Sequence, residues 1–253
     1  MQQQLYESQE EVLLAKMAAD AHLHLDLFED PEATVRAARN SGIGILVSAG
    51  SDWKSNIRNA ELAHDGVYAV VGIDPEFALE DEIEVLERLE GLVKGNSNIV
   101  GIGEIGLDYK KAADADQKER QKRFFERQLE IAQALDLPVV IHARKALGDV
   151  FEILPSYKTR AMFHYFEGGR EEALAAEKLG AIISVPPIES KKRIAAVRAV
   201  GIGSVVAETD APVAGKTPTD VLKSIAMIAA ATGVTYEEAV AITTENLMRF
   251  FRI

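Results

Sequence analysis

Eight times along this chain a short apolar run gives way to a longer stretch of helical periodicity, and this alternation constrains the fold more than any other feature. The apolar runs lie near 18–24, 43–48, 67–72, 98–103, 138–142, 160–164, 181–185 and 204–208. Helical stretches follow near 31–41, 53–65, 77–93, 114–136, 144–153, 169–179, 189–200 and 217–232, with a last one near 236–250. Strands joined through helices pair in parallel, because each crossover returns the chain to the same end of the sheet. Eight such units in 253 residues fit the arithmetic of a closed α/β barrel of the (β/α)8 type. An open doubly wound sheet is the alternative.

Local signals agree with this division. Gly42, Gly180 and Gly201 stand at helix-to-strand joints, where a left-handed cap suits glycine. Pro31 and Pro218 suit first helical turns, with Asp30 and Thr217 as N-caps. Residues 17–253 make one domain. Residues 1–16 read as an N-terminal extension, an amphipathic helix or arm with Leu5, Val12 and Leu13 as docking residues.

A barrel carries its active-site residues at the carboxyl ends of its strands. Those ends read His22 and His24, Ser48, Asp74, Glu104, His142, His164, Ser184, and Glu208 with Asp210. Of the five histidines, only His64 falls elsewhere, in a helix beside Asp65, and it reads as a surface residue. Side chains at i and i+2 of a strand leave the same face, so His22 and His24 can converge on one point. Any one of these histidines is as readily a satisfied core residue; together with the carboxylates they make a metal-binding set. The chain has no cysteine, so thiolate sites, disulfides and cysteine nucleophiles are excluded and any ligands are His, Asp and Glu.

The formal net charge of −12 opposes broad nucleic-acid binding through phosphate neutralisation. It leaves open a small phosphate-bearing substrate drawn to a metal-charged pocket. No apolar run approaches the roughly 20 residues that span a bilayer, and residues 1–16 are too polar for a signal peptide. The expectation is a cytoplasmic protein without a membrane partner, its oligomeric state open. Gly101-Ile-Gly-Glu-Ile-Gly106 has the spacing of a dinucleotide loop, but the next helix begins only near Asp114 and Glu104 would set a negative charge among the phosphates. The chain has no serine-hydrolase elbow and no nucleotide P-loop. The acidic run at 80–87 and the basic run at 118–127 read as solvated helix faces, with Phe124, Phe125, Leu129 and Ile131 packing inward.

Several motifs occur in order: Asp20-Ala-His-Leu-His-Leu-Asp26, Gly101-Ile-Gly-Glu-Ile-Gly-Leu-Asp-Tyr109, Leu137-Pro-Val-Val-Ile-His-Ala-Arg144, His164-Tyr-Phe-Glu-Gly168 and Glu208-Thr-Asp-Ala-Pro212, with Glu245 to Phe251 at the end. In these the chain resembles the TatD-family metal-dependent hydrolases, a branch of the amidohydrolase-like TIM barrels that includes metal-dependent deoxyribonucleases. The resemblance runs from about Ala19 to Phe251. It implies two divalent ions per chain, one held by His22 and His24 and the other by His142 and His164, with Glu104 bridging and Asp210 ligating and orienting the attacking water. Imidazole-rich sites suit Zn²⁺ or Mn²⁺, and Mg²⁺ less well. Asp210 is the candidate general base, with Glu104 beside it. Glu208 would hold a ligand histidine by its other ring nitrogen, while Arg144, Asp74 and Asp108 would back the ligands or touch substrate.

The sequence departs from the family pattern around the presumed substrate. Asp74-Pro75-Glu76 stands where Gly-x-His-Pro is usual, Lys110 follows the aromatic where a histidine is frequent, and Tyr165 and Glu167 replace Cys and Ser. The short loop after Pro212 lacks an Arg/Asn-rich segment. Asp74 and Glu76 would repel a phosphate unless they meet a cation or a basic partner. Lys110, Arg144, Lys145 and Lys191-Lys192-Arg193 lie near the expected mouth, and all but Arg144 read as ordinary surface cations. The leading expectation is a metal-dependent hydrolase that uses an activated water on phosphoester bonds, of DNA or a smaller nucleotide-like ester. The alternatives are a hydrolase of carboxylic esters, lactones or amides, and a barrel that has lost its chemistry and serves as a scaffold.

Overall fold

The structure, a computed structural model, describes residues 17–253; the expected extension over 1–16 lies outside the described residues. Eight strands pair in parallel in chain order: β1 (Ala18–Leu23), β2 (Ile43–Ala49), β3 (Val67–Val71), β4 (Ile99–Asp108), β5 (Val139–Arg144), β6 (Ala161–Phe163), β7 (Ile182–Val185) and β8 (Val205–Ala207). The helices are α1 (Pro31–Asn40), α2 (Trp53–Leu62), α3 (Glu87–Lys94), α4 (Ala115–Leu135), α5 (Leu147–Ile153), α6 (Arg170–Lys178), α7 (Lys191–Val200), α8 (Val221–Thr232) and α9 (Tyr236–Phe251). A strictly sequential strand order has no switch point, which rules out the doubly wound sheet and leaves the (β/α)8 barrel.

The barrel closes between β8 and β1 through a few specific bonds. Asp210 N donates to His22 O and His24 N donates to Ala211 O, each at 2.8 Å. Deeper in the seam the fully buried Asp20 carboxylate accepts from Thr209 N at 2.9 Å and from Thr209 Oγ1 at 2.5 Å. At the amino-terminal side α9 bridges both strands: Thr244 Oγ1 donates to Met17 O, and Asn246 Nδ2 donates to Ile202 O and Val205 O.

Period-two alternation fills the interior in layers. Val140, Met162 and Val206 precede His142, His164 and Glu208 by two residues, so an apolar layer lies directly beneath the polar one; these three join Ile45, Val47, Val70 and Val100 in one buried cluster. Outside the barrel the apolar faces of the helices bury against the strands, and Phe124, Phe125, Leu129 and Ile131 of α4 are buried as expected. Asp30 caps α1 through Ala33 N at 2.8 Å, and Thr217 caps the 3-10 turn Pro218–Asp220 that leads into α8. Gly42, Gly180 and Gly201 all have positive φ. Among the described residues no single helix is long and apolar enough to cross a membrane.

Three elements differ from expectation. β4 runs on to Asp108, because a register shift between Ile102 and Ile105 restores pairing with β5 as far as Arg144. Glu104 therefore lies within a strand. The stretch 77–93 is broken into the 3-10 turns Phe77–Leu79 and Ile83–Leu86 before α3; Glu80, Asp81, Glu82 and Glu84 crowd like charge there, and Glu82 takes an extended backbone. α5 begins only at Leu147, since Lys145 sits in the left-handed region at φ 54°.

Candidate metal centre

The structure brings all six expected ligand residues to one place at the carboxyl end of the barrel. Strand period two carries His22 and His24 inward from β1, and β4, β5 and the ends of β6 and β8 supply the rest. Glu104 is the hub. Its Oε1 lies 2.7 Å from His142 Nδ1 and 2.9 Å from His164 Nε2. Its Oε2 lies 3.5 Å from His22 Nε2 and 3.7 Å from His24 Nε2. Asp210 Oδ1 stands 3.3 Å from His24 Nε2 and 3.8 Å from His22 Nε2. Two groups have ligand atoms all within 4.8 Å of one another: His22, Glu104 and His164, and His22, His24 and Asp210.

The donor set fits a divalent metal on a structural observation. His22 is wholly buried, yet neither of its ring nitrogens has a hydrogen-bond partner, and His164 Nδ1 is also unpaired. A buried polar atom left unpaired is costly, and a cation beside His22 Nε2, the nitrogen that faces Glu104 and Asp210, removes that cost there. This cluster of His, Glu and Asp can hold metal.

The electrostatics of the protein without metal follow from burial and crowding. Burial, reinforced by the His164 charge, pushes His22 down to about 4. For His24 burial acts downward, but the hydrogen bond to Asp210 and the charges of Glu104 and Asp210 win and raise it to about 9. His142 rises to about 10, because Asp108 and Glu104 outweigh its burial. Glu104 falls well below the usual carboxylate range: burial opposes this, but the His164 charge and the bonds from His142 and His164 prevail.

Surrounding residues fix the ligand rings. His24 Nδ1 donates to Ala49 O at 3.0 Å, which leaves Nε2 facing the cluster. His142 Nε2 donates to Asp108 Oδ2 at 3.2 Å, which leaves Nδ1 facing Glu104. Glu208 meets the expectation only partly. It is fully buried and faces His164 Nδ1 at 3.8 Å, too far for a hydrogen bond, while its oxygens accept from Tyr165 N and Ser184 Oγ at 2.6 Å each. Burial, more than any neighbour, lifts Glu208 to about 7. The sequence reading overlooked the role of Asp20; its place two residues before His22 on the same face was the available signal.

A cavity of about 260 Å³ opens over the cluster, lined by His142, Arg144, His164, Tyr165, Glu167, Asp210 and Val213 among others. Arg144 points its guanidinium to within 4.0 Å of Asp108. Two acids expected to repel a phosphate are otherwise engaged: Glu76 pairs with Lys111 at 2.8 Å, and Asp74 Oδ1 accepts from Glu76 N and Phe77 N, each at 2.8 Å. Burial and then the Glu104 charge raise Asp74 to about 7. Arg193, expected as a surface cation, is buried at 7% exposure, because its guanidinium turns inward to the carbonyls of Phe166 and Ile188. His64 is half exposed beside Glu32 and Asp65, as expected of a surface residue, but it lies past the end of α2 and not in a helix.

The chain has relatives among known proteins. The chain is 31% identical to an uncharacterized metal-dependent hydrolase, YabD of Bacillus subtilis, covering 94% of this chain and all of that protein. It is 26% identical to the human deoxyribonuclease TATDN3, over 92% of this chain and 93% of that protein. Among solved structures, the TatD homologue YjjV of Escherichia coli superposes with a TM-score of 0.87 at 24% identity, covering 95% of this chain and 99% of that one, a likeness of fold. Residues 19–252 match the profile of the TatD related DNases, and the chain belongs to that family.

Proposed function

We propose that this protein hydrolyses phosphoester bonds, of DNA or a smaller nucleotide ester, with two divalent ions per chain. One observation carries the reading: Glu104 turns one carboxylate oxygen toward His142 and His164 and the other toward His22 and His24. A carboxylate so placed suits a bridge between two cations. In this reading His22, His24 and Asp210 hold one ion, His142 and His164 hold the other, and Zn²⁺ or Mn²⁺ suits the imidazoles better than Mg²⁺. The relatives named as deoxyribonucleases support the phosphoester over the acyl alternative.

When bound, such ions lower the pKa of water, polarise a phosphoryl oxygen and stabilise the leaving oxygen. The chain's own residues do the rest. Asp108 keeps a proton on His142 Nε2 and Ala49 O keeps one on His24 Nδ1, so each ring offers its other nitrogen inward. Asp210, at the floor of the cavity, takes a proton from the attacking water on a carboxylate oxygen. Arg144, at the cavity wall, supplies a planar cation to the non-bridging phosphate oxygens.

An activity panel on Mn²⁺-loaded and Zn²⁺-loaded protein, with bound metal quantified, tests this. Single-stranded DNA or nucleotide phosphoesters are cleaved, and lactones and aminoacyl esters are not. Hydrolysis confined to the acyl substrates replaces this reading with the acyl one.

A further inference from the structure

We propose that Tyr165 is a stacking platform for a nucleobase, so that the site reads a base next to the phosphoester it cleaves; this rests on the phosphoester reading above. Tyr165 lines the cavity over the metal cluster, with its ring centroid 6.5 Å from that of His164. A planar group attached to a phosphate held at the cluster lies within reach of that ring.

The ring is held where it stands. Tyr165 N donates to Glu208 Oε1 at 2.6 Å and to Ser184 Oγ at 3.1 Å. Its backbone is in the left-handed region at φ 45°, which a bulky residue seldom adopts and which persists only where its surroundings impose it. The Arg193 guanidinium sits over the ring, 5.3 Å from its centroid. That cation is buried and fixed by main-chain carbonyls, so it backs the ring and keeps it from swinging away. Every base has a π face, so a fixed aromatic serves any of them.

The rest of the cavity suits a single nucleotide unit. Its volume of about 260 Å³ falls just under the usual range of small-ligand pockets, too little for a duplex. Arg144 offers donors to the phosphate and Glu167 offers an acceptor to the base's N–H groups. The net charge of −12 leaves little attraction to a long phosphate backbone, and a local contact with the base takes its place.

The test compares a thymidine dinucleotide with the same molecule carrying an abasic sugar in place of one base. Wild-type enzyme prefers the base-bearing substrate in kcat/KM by about tenfold or more, mainly through KM. Tyr165→Phe keeps that preference. Tyr165→Leu, and Tyr165→Asn as a second variant suited to the left-handed backbone, bring it close to parity. The dissociation constant for thymidine 5′-monophosphate, measured by calorimetry, rises about tenfold in the Leu and Asn variants and is unchanged in Tyr165→Phe. A wild-type enzyme indifferent to the missing base, or a Leu or Asn variant that keeps the preference, overturns the inference. Cleavage of neither dinucleotide by the wild type overturns the phosphoester reading, and this inference with it.

Discussion

Each histidine of the cluster has one ring nitrogen turned inward, and the neighbours decide how tightly its proton is held. With His24 raised to about 9 and His142 to about 10, the metal-free centre carries protons at neutral pH that a divalent ion has to displace. Apparent metal affinity therefore climbs as pH rises from about 6.5 toward 10, with proton release visible in calorimetry run in buffers of different ionisation enthalpy. The metal-free fold responds in the opposite sense. A histidine whose folded pKa exceeds its unfolded value of 6.5 gives stability that is complete below that value and is lost as pH rises through 9 to 10, so thermal melts of stripped protein fall over this interval. His22, lowered to about 4, acts on the acid side: its contribution is complete above 6.5 and is lost as pH falls through 4. Asp210 is both a ligand and the general base in the proposed reading, so its test measures bound metal beside turnover. Its backbone is left-handed at φ 52°, a conformation asparagine tolerates, so Asp210→Asn keeps the fold while turnover drops by about 10²–10⁴.

The strands place these residues, and β4 does so by a local irregularity. The register shift after Ile102 lets Glu104 face inward while the strand continues to Asp108, which then reaches His142 on β5. Gly106 makes the close pairing possible: its φ is 138°, and a Cβ there would stand 2.0 Å from His142 O. Gly106→Ala is expected to cost on the order of 3 kcal/mol, from backbone strain and the clash. The same change shifts His142 and weakens zinc affinity about tenfold or more, which melting curves and a competition titration measure together. Helix caps were legible from single residues, as Asp30 and Thr217 show, because capping is decided within four residues. The break at 80–84 was hidden, since the apolar spacing of Ile83, Val85, Leu86 and Leu89 remains helical while the crowded charges favour turns.

The whole barrel depends on how its ends meet, and there Asp20 and α9 act as fasteners. Asp20→Ala leaves Thr209 N–H and the Thr209 hydroxyl proton without an acceptor in a buried seam and is expected to cost about 3 kcal/mol, or roughly 6–12 °C in melting temperature. Asp20→Asn keeps an acceptor for the N–H and a donor for the hydroxyl oxygen, and remains within about 1 kcal/mol of wild type. Resemblance to the family picked the six residues of the cluster from among the strand ends; the sequence by itself determined the eight βα units and where those ends fall. These follow from periods of 2 and 3.6, which are local, and from strand ends that converge in any barrel of this count. Only the tertiary structure decided that Glu104 divides its oxygens between two histidine pairs, that Asp20 locks the seam, that Glu76 is neutralised by Lys111, and that a buried Arg193 stands behind Tyr165. Each of these is a contact between residues far apart in the chain. Its sign and strength depend on distance, burial and the other charges nearby, none of which is written in local order.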